Sequence, residues 1–338
     1  MLQLKNNTPF AAQLALFPNP QGVDSLYIML KASFNIGAKW TLADEQKPPQ
    51  VEDKFWTDDP TTSSLKLASE FHTGKPSTDI ILLGHAWSPS GKEVQQMDVS
   101  LAVGAVNKTV RVIGDRQWLD GSYTRPEPFT SMPLVYEKAF GGTYKEADKI
   151  IAAESCNPVG CGFTGKRRAK DVNGEALPNL EDPQQLIQQV GDVVAPACFA
   201  FISPSWQPRL NYAGTYDEAW KKSRAPYLPL DFDPRFFNMA HPDLIYPGYL
   251  SGGETVHISG VNPEGPLVFQ LPVIGLSASV DIHGRIEKPP FHLETLLIEA
   301  DSLQLSMTWR AVVSCDKAAL KIRQVAVNLS RSQGQQAA

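Results

Sequence analysis

From Leu26 the chain alternates. Leu26, Ile28, Leu30, Ala32, Phe34 and Ile36 fall on one side, and Tyr27, Met29, Lys31, Ser33 and Asn35 on the other. A period of two predicts a strand that buries the first set on one face. Met97, Val99, Leu101 and Val103 repeat the pattern ahead of "VNKTVRVIG", where Asn107–Lys108 reads as a hairpin tip. Near the C-terminus Leu303, Leu305, Met307, Trp309, Ala311 and Val313 alternate against Gln304, Ser306, Thr308 and Arg310. The preceding run "HLETLLIEA" reaches them through Asp301–Ser302, which predicts a second hairpin. "ETVHISGV" and "LSASVDIHG" add two short strands. Antiparallel sheets with one wet face fit these alternations better than a buried parallel sheet.

Residues 114–253 show no such period. Asp182 and Pro183 give "PQQLIQQV" an N-cap and an N1 proline, predicting a short helix. "TYDEAWKKSRAP" predicts another: Thr215 and Glu218 have capping-box spacing, Lys221, Lys222 and Arg224 suit the C-terminal dipole, and Pro226 disfavours continuation. Tyr216 and Trp220 then share a face. The remainder reads as long ordered loop pinned by aromatic rings. The expected fold is mainly β, an antiparallel sandwich or open barrel, in one domain over residues 1–330. Its strand-rich ends, 1–113 and 254–330, flank a motif-rich middle, and the polar tail 331–338 is expected to be disordered.

Composition sharpens this picture. With 42% hydrophobic and 20% charged residues the chain is a globular one, and Gly 24 with Pro 27 implies many turns. A net charge of −5 argues against a general nucleic-acid binder or a polybasic membrane-surface protein. "MLQLKNNTPFAAQLALFPNP" lacks the basic end and continuous apolar run of a signal peptide, and "VVAPACFAFI" is too short to span a membrane. Four cysteines without a Cys-x-x-Cys fit a reducing compartment, so the expected location is cytoplasmic. Cys156 and Cys161 are two free thiols or, given suitable loop geometry, a disulfide.

Candidate chemistry is scattered. Asp231 and Asp233 share a face if extended, as paired acid/base carboxylates or metal ligands do; the plainer reading has them capping turns and pairing with Arg235 or Arg209. Asp281 and His283 have metal-ligand spacing but no third ligand. His241 with Asp243 resembles an oriented base, yet no nucleophile motif accompanies it. "YLSGGETVHISG" lacks the Gly-Lys-Ser/Thr of a phosphate loop, and "GFTGKRRAK" reads as a solvated basic loop. No metal or cofactor is called for.

The middle motifs carry a resemblance. "GDRQW", "MPLVYEKAFGG", "NPVGCGF", "LPNLEDP", "PSWQPR", "GTYDEAW" and "RAPYLPLDFDPRFFNMAHPD" occur in this order, with "KPSTDIILLGHAW" before and "GGETVHISGVNPEGPLVFQLP" after. In that order and spacing the chain resembles the domain-of-unknown-function family 2169 over nearly its whole length. The resemblance implies an adaptor or chaperone of type VI secretion, which loads a PAAR-bearing effector onto the VgrG spike, and it implies no catalytic residues. Cys161 and Gly253 depart from the pattern, where a basic or small residue and an acidic one are usual; a different partner follows if either position touches cargo.

Cargo holding needs aromatic and arginine anchors on a firm surface. Trp206, Arg209, Tyr216, Trp220, Phe232, Arg235, Phe236 and Phe237 supply that chemistry, though many of these rings are expected to plug the core, and any single one is more readily a core residue than a partner contact. Asp115, Arg116 and Trp118 of "GDRQW" read as a structural hinge in which Asp115 pairs with Arg116. A partner can also add a strand at a sheet edge, which leaves no motif. The rival readings are a hydrolase acting on carbohydrate or cell envelope through Asp231 and Asp233, with their carboxyls about 5–10 Å apart across a cleft, and a small-ligand module with one deep apolar pocket.

Overall fold

The computed structural model describes residues 2–37, 39–147 and 149–330. The expected disorder of 331–338 lies outside them. Three sheets dominate, and the fold is mainly β as the alternations require. The central sheet runs Ala11–Pro18, Asp24–Asn35, Gln304–Ser314, His292–Glu299 and Asp79–Leu83, with the short Thr41–Leu42 added beside Asp24–Asn35. A second sheet orders Leu180–Glu181, Val106–Ile113, Gln96–Val103, Thr255–Ser259 and Leu267–Gln270. A third orders Gln3–Asn7, Ile322–Leu329, Leu276–Ile282 and Arg285–Glu287. Of these strands only Leu180–Glu181 comes from the loop-rich middle.

The C-terminal hairpin forms as expected: His292–Glu299 and Gln304–Ser314 are antiparallel and meet across Asp301 and Ser302. Two expectations about strands need correction. The tip of the first hairpin is Gly104–Ala105, because Val103 pairs with Val106 and Gly104 takes φ +56°; Asn107 and Lys108 lie within the strand. The sheets are also not wholly antiparallel. Asp79–Leu83 joins His292–Glu299 in parallel, and Gln3–Asn7 joins Ile322–Leu329 likewise. Both parallel pairs unite segments more than 200 residues apart, a pairing that no local pattern encodes.

The central sheet is buried on both faces, where the alternation predicted one wet face. Leu26, Ile28, Leu30, Ala32 and Phe34 enter the main core, and the opposite set, Tyr27, Met29, Lys31 and Ser33, is also buried. That second face is covered by Gln50 and Glu70 and, from the middle, by Phe201 and Met239, whose N donates to the Asp79 carboxylate; Phe199 and Ile245 pair with the backbone of the edge strand Asp79–Leu83.

The helix expected from Pro183 does not form. Asp182 caps a turn by accepting from Gln184 N, and Ile187 N donates to the Glu181 side chain instead of closing a helical turn. Ile187 packs in a second cluster with Trp118, Phe140, Val172 and Leu177, and burial of that one side chain outweighs a weak local propensity. The other helix spans Glu218–Ser223. Its N-cap is Asp217, accepting from Trp220 N, rather than Thr215, whose hydroxyl and amide both bind Asp231.

Candidate functional site

Beneath the motif-rich segment, the second face of the central sheet holds a buried ionic layer. Lys31 Nζ lies 2.9 Å from Glu70, which also accepts from Thr308 and from Gln50 N. Arg310 lies 2.7 Å from Glu294 and donates to the Glu70 carbonyl, with His72 at its side. Lys75 lies 2.6 Å from Asp79 and also reaches Thr295. Burial pushes the Glu70 carboxyl up, but Lys31 together with the hydrogen bonds from Thr308 and Gln50 N outweighs it and holds it below the ordinary range. Charges taken this far from water persist because each carboxylate has a cation and several donors. The layer anchors the middle segment: Asn238 Nδ2 and Met239 N both donate to Asp79, and Phe237 stacks on His72.

The family-like motifs knit the loops to one another. Phe140–Gly141 pairs in parallel with Cys161–Gly162, and the buried Asn157 donates to the carbonyls of Tyr136 and Phe140. Arg116 does not pair with Asp115 as expected; its partner is the buried Glu181, while Asp115 accepts from Asn179. The two neighbours diverge because Arg116 is buried beside Trp118, whereas two-thirds of the Asp115 side chain faces solvent.

Above this base, residues 206–237 divide by depth. Trp206 is 3% exposed and packs edge-on to Tyr136, so it is a core plug in this state. Arg209 is buried as well, with Nε donating to Phe236 O and Nη1 to Ile202 O. Phe232, Phe236 and Phe237 form a half-buried trio with ring centres 5.3–5.7 Å apart. Tyr216 and Trp220 meet edge to face at 4.7 Å, and Trp220 Nε1 donates to Tyr227 O. Arg235 stacks on Tyr212 and binds Asp233. Outermost are Leu210, Tyr216, Tyr227 and Leu230, the last 88% exposed. Leu210, Tyr227 and Leu230 escaped the sequence reading. Leu230 sits in "YLPLDF" without any period to show which side is wet, so no sequence signal marks it.

Asp231 and Asp233 take the plainer of their two roles. Asp231 is bound by the amide and hydroxyl of Thr215, Asp233 by Arg235, and these contacts hold both carboxyls below the ordinary range. A general acid needs the opposite shift. Arg209 pairs with neither. Asp281 accepts from Gly284 N and His283 contacts Arg323. Among the described residues no group of three or more His, Cys, Asp or Glu is placed to hold a metal ion.

Elsewhere, a cleft of about 470 Å³ is lined by Trp56, Lys66, His85, Glu137 and Asp301, with His85 Nδ1 2.7 Å from Asp301. It includes no residue of the 206–243 segment. A smaller pocket of about 200 Å³ brings Cys156 beside Tyr136 and His241. Burial, with Glu154 beside it, pushes the Cys156 thiol up, the opposite of the shift that activates a nucleophilic thiol. All four cysteines are free thiols, and burial lifts Cys161 to about 11.

His241 yields a pH prediction. Burial, then Lys108, lower it from 6.5 to about 4, against the opposing pull of Asp243. The unfolded chain therefore takes up this proton first as pH falls, so stability is full above about pH 6.5 and declines toward pH 4. The contribution is about 3 kcal/mol at most. His72, also lowered by burial, adds in the same direction. Urea midpoints should fall between pH 7 and pH 4.5, with a shallower slope in His241→Asn; an unchanged slope in that variant would contradict the assignment.

Among the described residues no helix is long and apolar enough to cross a membrane. The family model "Uncharacterized protein conserved in bacteria (DUF2169)" matches residues 21–310. The chain belongs to that family. No curated protein and no solved structure matches it.

Proposed function

We propose that this DUF2169 protein is a non-enzymatic, cytoplasmic adaptor of type VI secretion that holds a PAAR-bearing effector and promotes its loading onto the VgrG spike. The observation that carries the reading is the surface of residues 210–237. It presents Leu210, Tyr216, Tyr227 and Leu230 to solvent on a backbone tied down from several sides. Arg224 joins that backbone to Pro20 O, Asp231 closes onto Thr215, and Asp233 N bonds Tyr212 O. Exposed rings and leucines on a pre-ordered frame lose little entropy on binding, which is what a docking surface needs. The resemblance of the ordered motifs to adaptor proteins supplies the partner. The engagement of Asp231 and Asp233 by their own neighbours speaks for this reading over a carboxylate hydrolase.

The test is co-expression with the PAAR-domain protein encoded beside this gene, followed by size-exclusion chromatography. Co-elution is expected. Leu230→Asp should weaken the complex by about tenfold or more, because a buried unpaired carboxylate replaces an anchor. Its melting temperature should stay that of the wild type, since Leu230 is 88% exposed. Loss of melting temperature without loss of binding would count against this surface, and a folded protein that binds neither the PAAR nor the VgrG neighbour would sink the adaptor reading.

A further inference from the structure

Six cationic side chains are buried among the described residues: Lys31, Lys75, Lys108, Arg116, Arg209 and Arg310. Five have a carboxylate within salt-bridge distance: Glu70, Asp79, Asp243, Glu181 and Glu294, respectively for Lys31, Lys75, Lys108, Arg116 and Arg310. Arg209 has none, although it is 6% exposed. Its Nε and Nη1 are held by the carbonyls of Phe236 and Ile202, its guanidinium lies over the Phe236 ring, and Nη2 has no acceptor among the described residues. Two carbonyl dipoles fix the group in place without neutralising it. The cost shows in its titration, where burial lowers Arg209 to about 10 even with Asp79 at longer range.

Arg209 lines a cavity of about 370 Å³ walled by Ser77, Tyr212, Pro242, Ile245 and Tyr246. Arg235 borders the same cavity, but its charge is already met by Asp233. The cavity therefore combines mainly apolar walls with one lining positive charge that no carboxylate meets at salt-bridge distance. Such walls suit an apolar or aromatic body, and a fixed guanidinium suits a planar anion that can take two hydrogen bonds.

We propose that this cavity is a carboxylate-binding site in which Arg209 is the counter-ion, and that its ligand carries one carboxylate on a small ring or aliphatic body. Among the described residues Arg209 is the one buried cation with no carboxylate at salt-bridge distance, and the ligand's carboxylate would supply it. The inference stands on Arg209 and its cavity, and it does not require the adaptor reading. The carboxylate has two sources, a free organic acid or the C-terminus of a polypeptide.

Phenylacetate and its uncharged isostere phenylacetamide, titrated calorimetrically into the full chain, test the charge requirement. Phenylacetate should bind with Kd on the order of 1 mM or tighter, given ten non-hydrogen atoms of ordinary efficiency, and phenylacetamide at least about tenfold more weakly. Arg209→Gln should abolish the preference, and Arg209→Lys should retain part of it. The acid–amide comparison uses only the wild-type chain, so it remains decisive if either variant fails to fold. N-acetyl-Gly-Phe with a free C-terminus separates the sources: tighter binding than phenylacetate indicates a polypeptide terminus, and weaker binding a free acid. Equal binding of acid and amide, no saturable binding of phenylacetate by about 50 mM, or an undiminished preference in folded Arg209→Gln would overturn the proposal.

Discussion

Asp79→Asn is expected to destabilise the protein by about 3–5 kcal/mol. The Asp79 carboxylate is fully buried and accepts from three donors at once: Lys75 Nζ at 2.6 Å, Asn238 Nδ2 at 2.9 Å and Met239 N at 2.8 Å. The amide removes the charge that balances Lys75, whose side chain has no exposure, and turns an NH₂ toward groups that are themselves donors. Asp79 also ties the middle segment to the central sheet through Asn238 and Met239, so its loss should loosen the frame behind the proposed docking surface. Urea denaturation gives the magnitude. The double variant Lys75→Met/Asp79→Leu should recover most of the loss, because removing both charges leaves no unpaired ion, although Asn238 and Met239 N still lose an acceptor. A loss below about 1 kcal/mol in Asp79→Asn would show that water reaches Lys75.

Gly141→Ala is expected to be at least as damaging, with a loss above about 4 kcal/mol or failure to accumulate as soluble protein. Gly141 takes φ +150°, and a Cβ there would fall within the Asn157 carbonyl oxygen and against the Asn157 side chain. Neither neighbour can withdraw, since Asn157 is fully buried, holds the Tyr136 and Phe140 carbonyls, and accepts from Gly142 N. Gly174→Ala is the control. It has φ +83° with nothing within 4 Å of the new methyl, so it should show the backbone strain alone, about 1 kcal/mol. Similar losses in the two variants would mean that strain, not close approach, explains both. "AFGG" and "NPVG" are thus two halves of one joint, which gives these motifs a structural reason.

Much of the β framework was legible because a strand's period is local. Leu26 to Ile36 and Leu305 to Val313 announce their cores from neighbouring residues alone, whereas Leu303, expected among them, is 38% exposed in the hairpin turn with φ +51°; the turn around Asp301–Ser302 joins strands adjacent in sequence. The hairpin tip at Gly104 was misplaced by three residues because Asn-Lys and Gly-Ala are both turn-compatible, and pairing register decided between them. Of the anchor residues read from sequence, Tyr216 and Arg235 are exposed, the Phe trio and Trp220 are half-buried, and Trp206 and Arg209 are buried. Ring chemistry is the same at all these depths, so composition could not rank them.

The sequence by itself determined the fold class, the strand-rich ends, the family and the ordered set of motifs, since each rests on residue type and on spacing within a few residues. Only the tertiary structure decided that the second face of the central sheet is covered, that Arg116 meets Glu181, and that the helix after Pro183 yields to the burial of Ile187. It also decided that Arg209, alone among the buried cations described, lacks a carboxylate. Each of these depends on segments tens to hundreds of residues apart meeting away from water, where an ion's worth is set by the partner that reaches it.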